Sequence, residues 1–297
     1  MSALSEVGGD VPETLLPGTW PGRPRVPHRS WLSARQEVVV SVHMGNRLAG
    51  RVALVSGSTR GIGRSIAELF AVEGAKVAVT GRTVDRGEKV VQRIRDAGGE
   101  ADYFFLDVTD ESCVSAVIRA VVDRFGALTT LVNNAAPTAI VSNTQKLLAE
   151  YTTEEWNSIL TATLTGNVFW ATKYAWPHLK KADEATIVNI SSGAAITGHT
   201  GLGAYGAAKG GMNSLTRTIA VEGAPHGIRC NAIIVGRVVA GSSDTGRGMI
   251  KDATAIGNPT QIATTALFLS NSDSSFINGE LITADGGLTM NGDVHMA

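Results

Sequence analysis

A chain of 297 residues with 43% apolar content is long enough for one large α/β domain or two small ones. A formal net charge of −1 argues against nucleic acid or an anionic membrane as the main partner, and no apolar run approaches the roughly 20 residues that span a bilayer. Cys113 and Cys230 lie in apolar segments and read as buried reduced thiols; the six scattered histidines form no HxxxH or HExxH pair, so no metal site is expected.

Five of the nine prolines fall in the first 27 residues. Proline breaks helices and cannot donate to a ladder, so residues 1–46 are expected to be an irregular extension. Glu6, Asp10 and Glu13 argue against a transit peptide, and no continuous apolar stretch suits secretion, so a cytoplasmic location is expected. Three readings of the extension stay open. It is a floppy tail, an arm that packs on a neighbouring subunit through Trp20 and Trp31, or an over-extended reading frame ahead of Met44.

From Gly50 onward short apolar runs alternate with helical patterns. RVALVSG (51–57) is a Val-rich strand, and a helix over 65–75 carries Ile66, Leu69 and Phe70 before Gly74 stops it. KVAVTG (76–81) is the next strand, 86–99 a helix, DYFFLDV (102–108) a strand, 111–125 a helix and TTLVNNA (129–135) a strand. Further strands are ATIVNISS (185–192), IRCNAIIVG (228–236) and ELITADGG (280–287). Continuous apolar strands separated by helices predict a doubly wound parallel sheet, a Rossmann-type α/β domain over 47–297 with helices on both faces.

The first strand runs into SGSTRGIGRS (56–65). Gly57 can turn the chain, Gly61 admits a pyrophosphate to the backbone, and Gly63 lets the helix pack closely, with its N-terminus offered to an anion. At the end of the second strand a carboxylate would accept from a ribose hydroxyl and signal NAD. The chain has Thr80-Gly81-Arg82-Thr83 there. Arg82 can fork onto a 2′-phosphate and Arg60 can add a second charge, which favours NADP over NAD; the alternative is two solvated surface arginines. Asp107 ends the third strand and either bonds an adenine amino group or caps the next helix, a role Asp110 fits equally well. Asn133 and Asn134 need bonded amides if buried; they either tie strands together or line the cofactor pocket.

AYGAAKGGMNSLTRTIAVE (204–222) has a helical stripe of Ala208, Met212, Leu215 and Ile219. It sets Tyr205 and Lys209 one turn apart on one face. Ser192 ends the preceding strand, so its hydroxyl can face the phenol over the same crevice. A free phenol ionises near pH 10 and is a poor base at neutral pH. A nearby ammonium is expected to lower that value, and an oxidised nicotinamide to lower it further. Tyr205 can then exchange a proton with a substrate oxygen while hydride moves, with Ser192 holding that oxygen.

SGSTRGIG, LDVTD, NNAA, NISS, YGAAK and ADGG together resemble a classical short-chain dehydrogenase/reductase over about 50–290. Each motif alone is weak; the combination is specific. The resemblance implies Tyr205 as general acid/base, Lys209 on the nicotinamide ribose and Ser192 as the orienting hydroxyl. It implies cofactor contacts at Gly57, Thr59, Arg60, Gly61, Ile62, Gly63, Arg82, Asp107, Val108, Asn134, Ala135, Tyr205, Lys209, Gly236 and Val238. It also implies a homotetramer or dimer built on helices near 154–180 and 204–222, and a small-molecule carbonyl or alcohol as substrate.

Two positions depart from the family pattern. Thr163 stands where an Asn usually supports a relay water, and Asn167, one turn on, substitutes only if the helix shifts locally. Val235-Gly236 replaces Pro-Gly, which frees an N–H that needs a partner, and no Thr follows before Thr245. The segment 241–258 reads as a short polar lid that favours a small or partly exposed substrate. The expected activity is NADP-preferring interconversion of a carbonyl and a secondary alcohol, with a 3-oxoacyl-thioester reductase as one assignment. The competing expectation is a dinucleotide-binding sensor or scaffold with little catalysis.

Overall fold

The computed structural model divides the chain into Met1–Val42 and His43–Ala297 and describes residues 45–137, 146–238 and 256–290. Residues 1–44 of the expected N-terminal extension (1–46) and residues 241–255 of the expected lid (241–258), with Thr245, lie outside the described residues.

Seven strands form one parallel sheet: β1 (Val52–Val55), β2 (Lys76–Gly81), β3 (Glu100–Phe105), β4 (Thr130–Asn133), β5 (Ala185–Ile190), β6 (Ile228–Val235) and β7 (Leu281–Ala284). Their spatial order is β3-β2-β1-β4-β5-β6-β7. The helices are α1 (Gly61–Val72), α2 (Val84–Asp96), α3 (Glu111–Phe125), α4 (Thr153–Leu160), α5 (Ala171–Leu179), α6 (Gly203–Gly223) and α7 (Pro259–Ser270). A π-helical stretch, Thr161–Trp170, joins α4 to α5, so the helix expected at 154–180 is one continuous rod with a widened centre.

The apolar runs become strands because both faces of the sheet are covered. On one face Val55, Val77, Val79 and Ile233 pack with Ile66, Phe70, Ile94 and Leu267. On the other, Leu54, Leu131 and Ile187 pack with Ile118, Val168, Leu179 and Met212. The order reverses between β1 and β4, and in such sheets ligands settle at that switch point beyond the strands' carboxyl ends. Every site residue named from the sequence therefore has to be judged against one edge of the sheet.

Most element limits fall within three residues of the sequence reading; the start of α1 lies further off. β3 runs over 100–105, not 102–108, because the apolar Leu106 and Val108 continue past the last paired residue, Phe105, onto the crevice loop. α1 starts at Gly61, four residues early, because the end of the glycine turn is already helical.

Candidate active site

β5 delivers Ser192 to the carboxyl edge. Its hydroxyl accepts from Ala194 N at 3.2 Å and caps a short turn over Gly193–Ala195. α6 delivers Tyr205 and Lys209 from its first two turns. The Ser192 hydroxyl is near enough to the Tyr205 phenol to lower its pKa. The small residues of YGAAKGG let this happen. A Cβ on Gly206 would lie 2.8 Å from Ala194 O, so only a glycine admits the turn that carries Ser192 so close to the helix.

Lys209 is 1% exposed. Its Nζ donates to Ile190 O at 2.6 Å, lies 3.8 Å from Met212 Sδ and sits 5.6 Å from the centre of the Tyr205 ring. Burial pushes the Lys209 pKa down to about 7. Burial also pushes the Tyr205 phenol up to about 12, and the nearby Ser192 hydroxyl offsets only part of that rise. This corrects the expectation of a phenol made acidic by its neighbouring amine. Desolvation disfavours both charged forms, and an ammonium that is itself half-neutral at pH 7 exerts a weak field on the ring. With the crevice in this state Tyr205 holds its proton at neutral pH.

Across the switch point the glycine turn has the expected form. Gly57 and Gly61 adopt φ of 64° and 56°, the left-handed region that glycine enters without strain. A Cβ on Gly57 would fall 3.0 Å from Ala135 Cα, and one on Gly63 would overlap the Asn134 amide. The first turn of α1, with Ile62, carries no acidic residue, and Arg60 stands at its N-cap. A helix start of that kind suits an anion. Arg82 follows β2 directly and is 69% exposed at its side chain, with its guanidinium 3.9 Å from Asp107. Thr59 borders it, 2.7 Å from where a Cβ on Gly81 would stand. These residues fit a dinucleotide: a backbone cradle that side chains would fill, an anion-ready helix start and a cation where the adenosine ribose belongs.

A protein-family model described as Enoyl-(Acyl carrier protein) reductase matches residues 57–289. The 3-oxoacyl-[acyl-carrier-protein] reductase of Thermotoga maritima is 32% identical over 251 residues, covering 82% of this chain and 100% of that protein. An NADP-dependent (R)-specific alcohol dehydrogenase of Lentilactobacillus kefiri is 35% identical over 259 residues, 83% of this chain and 99% of that one. A crystal structure described as a candidate short-chain alcohol dehydrogenase from Sinorhizobium meliloti superposes with a TM-score of 0.73 at 31% identity, covering 82% of this chain and 98% of that one. The chain is a classical short-chain dehydrogenase/reductase.

Members of this family are oxidoreductases that bind NAD(P) and act on small molecules. Within this dehydrogenase/reductase the remaining site residues divide by role. Asp110, not Asp107, caps α3, accepting from Ser112 N at 2.8 Å and Cys113 N at 3.2 Å. Asp107 instead accepts from Thr109 N at 2.9 Å and from its hydroxyl at 2.7 Å, which leaves it beside Arg82 on the crevice loop with Val108. The two asparagines split the alternatives. Asn133 ties β4 to β5 through Asn189 Oδ1 at 2.8 Å, while Asn134 reaches Ser56 O at 2.8 Å and Gly57 O at 3.2 Å beside the glycine turn.

Thr163 is fully buried in the π-helical stretch and its hydroxyl has no hydrogen-bond partner among the described residues. The local helix shift that would bring Asn167 inward is present, but both ends of that amide are engaged, by Ser56 at 2.6 Å and by Ala135 O at 2.9 Å. Val235 does not break its strand: β6 continues through it opposite Ala284, and Gly236 N donates to Ala284 O at 3.3 Å. Val238 pairs with Gly257 just before and after the undescribed segment.

Sequence reasoning missed the supports. Ser191 Oγ donates to Asn213 at 2.6 Å, and Asn189 donates to Thr216 at 2.9 Å, fixing the end of β5 to α6 beneath Tyr205. Asp285 holds Thr289 through N at 2.8 Å and Oγ1 at 2.6 Å, and the Thr289 methyl lies 3.4 Å from where a Cβ on Gly193 would stand. The available signal was Asn213 and Thr216 interrupting an otherwise apolar stripe, since buried polar side chains persist where they are bonded.

Proposed function

We propose that this enzyme is an NADP-preferring carbonyl reductase that yields secondary alcohols. The observation that carries the reading is Tyr205 stacked one turn from the buried Lys209, 5.6 Å from its amine, with Ser192 at the same sheet edge where the glycine turn also opens. When bound, the reduced nicotinamide supplies the hydride. Ser192 and Tyr205 both donate toward the carbonyl oxygen and hold it, and Tyr205 releases its proton as negative charge develops there. A phenol that keeps its proton at neutral pH suits this direction. Lys209, whose charge depends on its surroundings near pH 7, then stabilises the resulting phenolate across the 5.6 Å to the ring.

Substrate size follows from the rim. Leu147, Leu148 and Ile196 are exposed large apolar residues. Leu148 lies 3.0 Å from where a Cβ on Gly203 would stand, two residues from Tyr205, and Ile196 is on the turn after Ser192. This apolar lip supports an alkyl or acyl arm on the substrate, so a 3-oxoacyl thioester belongs with simple ketones among the candidates. A homodimer or tetramer through the helices at 153–179 and 203–223 completes the proposal.

NADPH consumption against a panel of ketones and 3-oxoacyl thioesters tests it. Turnover of at least one class is expected; tight NADPH binding with no turnover on any would make the chain a sensor. Cofactor choice is tested separately. Arg82→Asp is expected to lower kcat/KM with NADPH by about 10- to 100-fold, the value of a charge-assisted phosphate contact, and to spare or raise it with NADH. Unchanged selectivity would remove Arg82 from the cofactor site.

A further inference from the structure

The π-helical stretch buries three consecutive residues, Gly166, Asn167 and Val168, more than one stripe of an α-helix presents. Two of them meet the loops that form the crevice. Gly166 lies so close to Val108 O, on the loop after β3, that any side chain there would overlap it. Asn167 is 0% exposed and reaches Ser56, at the end of β1, and Ala135, after β4.

The bonding around Ser56 is complete. Its Oγ accepts from Asn134 N at 2.8 Å and Ala135 N at 2.9 Å, which occupies both lone pairs, and its hydroxyl hydrogen has Asn167 Oδ1 at 2.6 Å as its nearer acceptor, with Val132 O at 3.2 Å. The Asn167 Nδ2 then donates to Ala135 O at 2.9 Å. A reversed amide would set oxygen against the Ala135 carbonyl and would offer a donor to a hydroxyl already filled, so one orientation alone works. The result is a closed ring of bonds that locks the Ser56–Gly57 peptide to the Asn134–Ala135 peptide.

We propose that Asn167 is a positioning residue for the dinucleotide. It acts through Ser56 and Ala135, setting the spacing of the two loops that face the cofactor at the switch point. The widened helix is what places it there. The amide serves both loops at once: it is the nearer acceptor for the Ser56 hydroxyl and the donor to the Ala135 carbonyl. The proposal rests on the reading that NADP(H) binds at the glycine turn.

The test uses the full-length enzyme, NADPH fluorescence titration, the thermal midpoint without cofactor, and steady-state kinetics on whichever ketone the parent turns over. Asn167→Ala is expected to raise the NADPH Kd at least about tenfold, the usual effect of orphaning buried polar groups, with kcat at saturating NADPH within about threefold of the parent. Ser56→Ala is expected to match it, and the double variant to be no worse than the weaker single, since the two share one network. Asn167→Asp keeps the acceptor for Ser56 but sets a buried carboxylate oxygen against Ala135 O, so it is expected to weaken NADPH binding at least as much as Asn167→Ala, and Ser56→Ala serves as the deciding variant if the alanine form at 167 does not fold. A folded variant with a lowered thermal midpoint and an NADPH Kd within about twofold of the parent would reduce Asn167 to a packing residue and overturn the proposal. A parent that binds no NADPH would instead overturn the functional reading beneath it.

Discussion

Lys209→Met is expected to stabilise the cofactor-free protein while abolishing most of its activity. The parent buries an amine whose only close polar partner among the described residues is Ile190 O, and its pKa falls to about 7. In an unfolded chain the same group titrates near 10.4. Between those values the unfolded state carries the extra proton, so parent stability rises with pH from about 7 to about 10 and the full penalty is present at or below pH 7. Met fills a similar volume with no charge to desolvate. The variant should therefore unfold later than the parent at pH 6, by a margin on the order of 1–4 kcal/mol, and the two should converge towards pH 10. Denaturant unfolding at pH 6 and at pH 10 checks this. The kinetic effect has the opposite sign: without a cation to stabilise phenolate, kcat/KM should fall by more than about 10²-fold. A variant less stable than the parent at pH 6 would mean that Lys209 is already compensated in the free protein.

Tyr205→Phe separates chemistry from architecture. The ring keeps its packing and loses only the hydroxyl near Ser192. Removing the proton donor should lower kcat/KM by about 10²- to 10⁴-fold, while the NADPH Kd stays within about twofold and stability changes by no more than about 1.5 kcal/mol. Carbonyl reduction that survives this change at more than about a tenth of the parent rate would place the proton donor elsewhere.

The glycine turn, the order of strands and helices and the Ser192–Tyr205–Lys209 spacing were legible in the sequence because each depends on local rules. A strand's last residue lies at the sheet edge, and residues four apart share a helix face. β2 and α3 matched their apolar patterns residue for residue, over Lys76–Gly81 and Glu111–Phe125. The β3 limit was not legible, because Leu106 and Val108 are as apolar as the strand and only pairing reveals where it stops. Which of Asp107 and Asp110 caps α3 also needed coordinates, since both precede the helix by a few residues.

The electrostatics were misjudged for a deeper reason. Proximity of Tyr205 and Lys209 is a local property, but their desolvation is set by β5, the turn over Gly193–Ala195 and the body of α6 together. The Ser56–Asn167 bond joins residues 111 positions apart, and no periodicity announces a π-helical stretch. Those features belong to tertiary packing.

Tyrosine ionisation, followed by ultraviolet difference titration of the parent against Tyr205→Phe, tests proton transfer by Tyr205 most directly. Without cofactor the phenol should ionise above the ordinary range, towards about 12, and with saturating NADP⁺ it should ionise below about 10. A phenol that titrates no lower in the NADP⁺ complex than in the free protein would contradict the account.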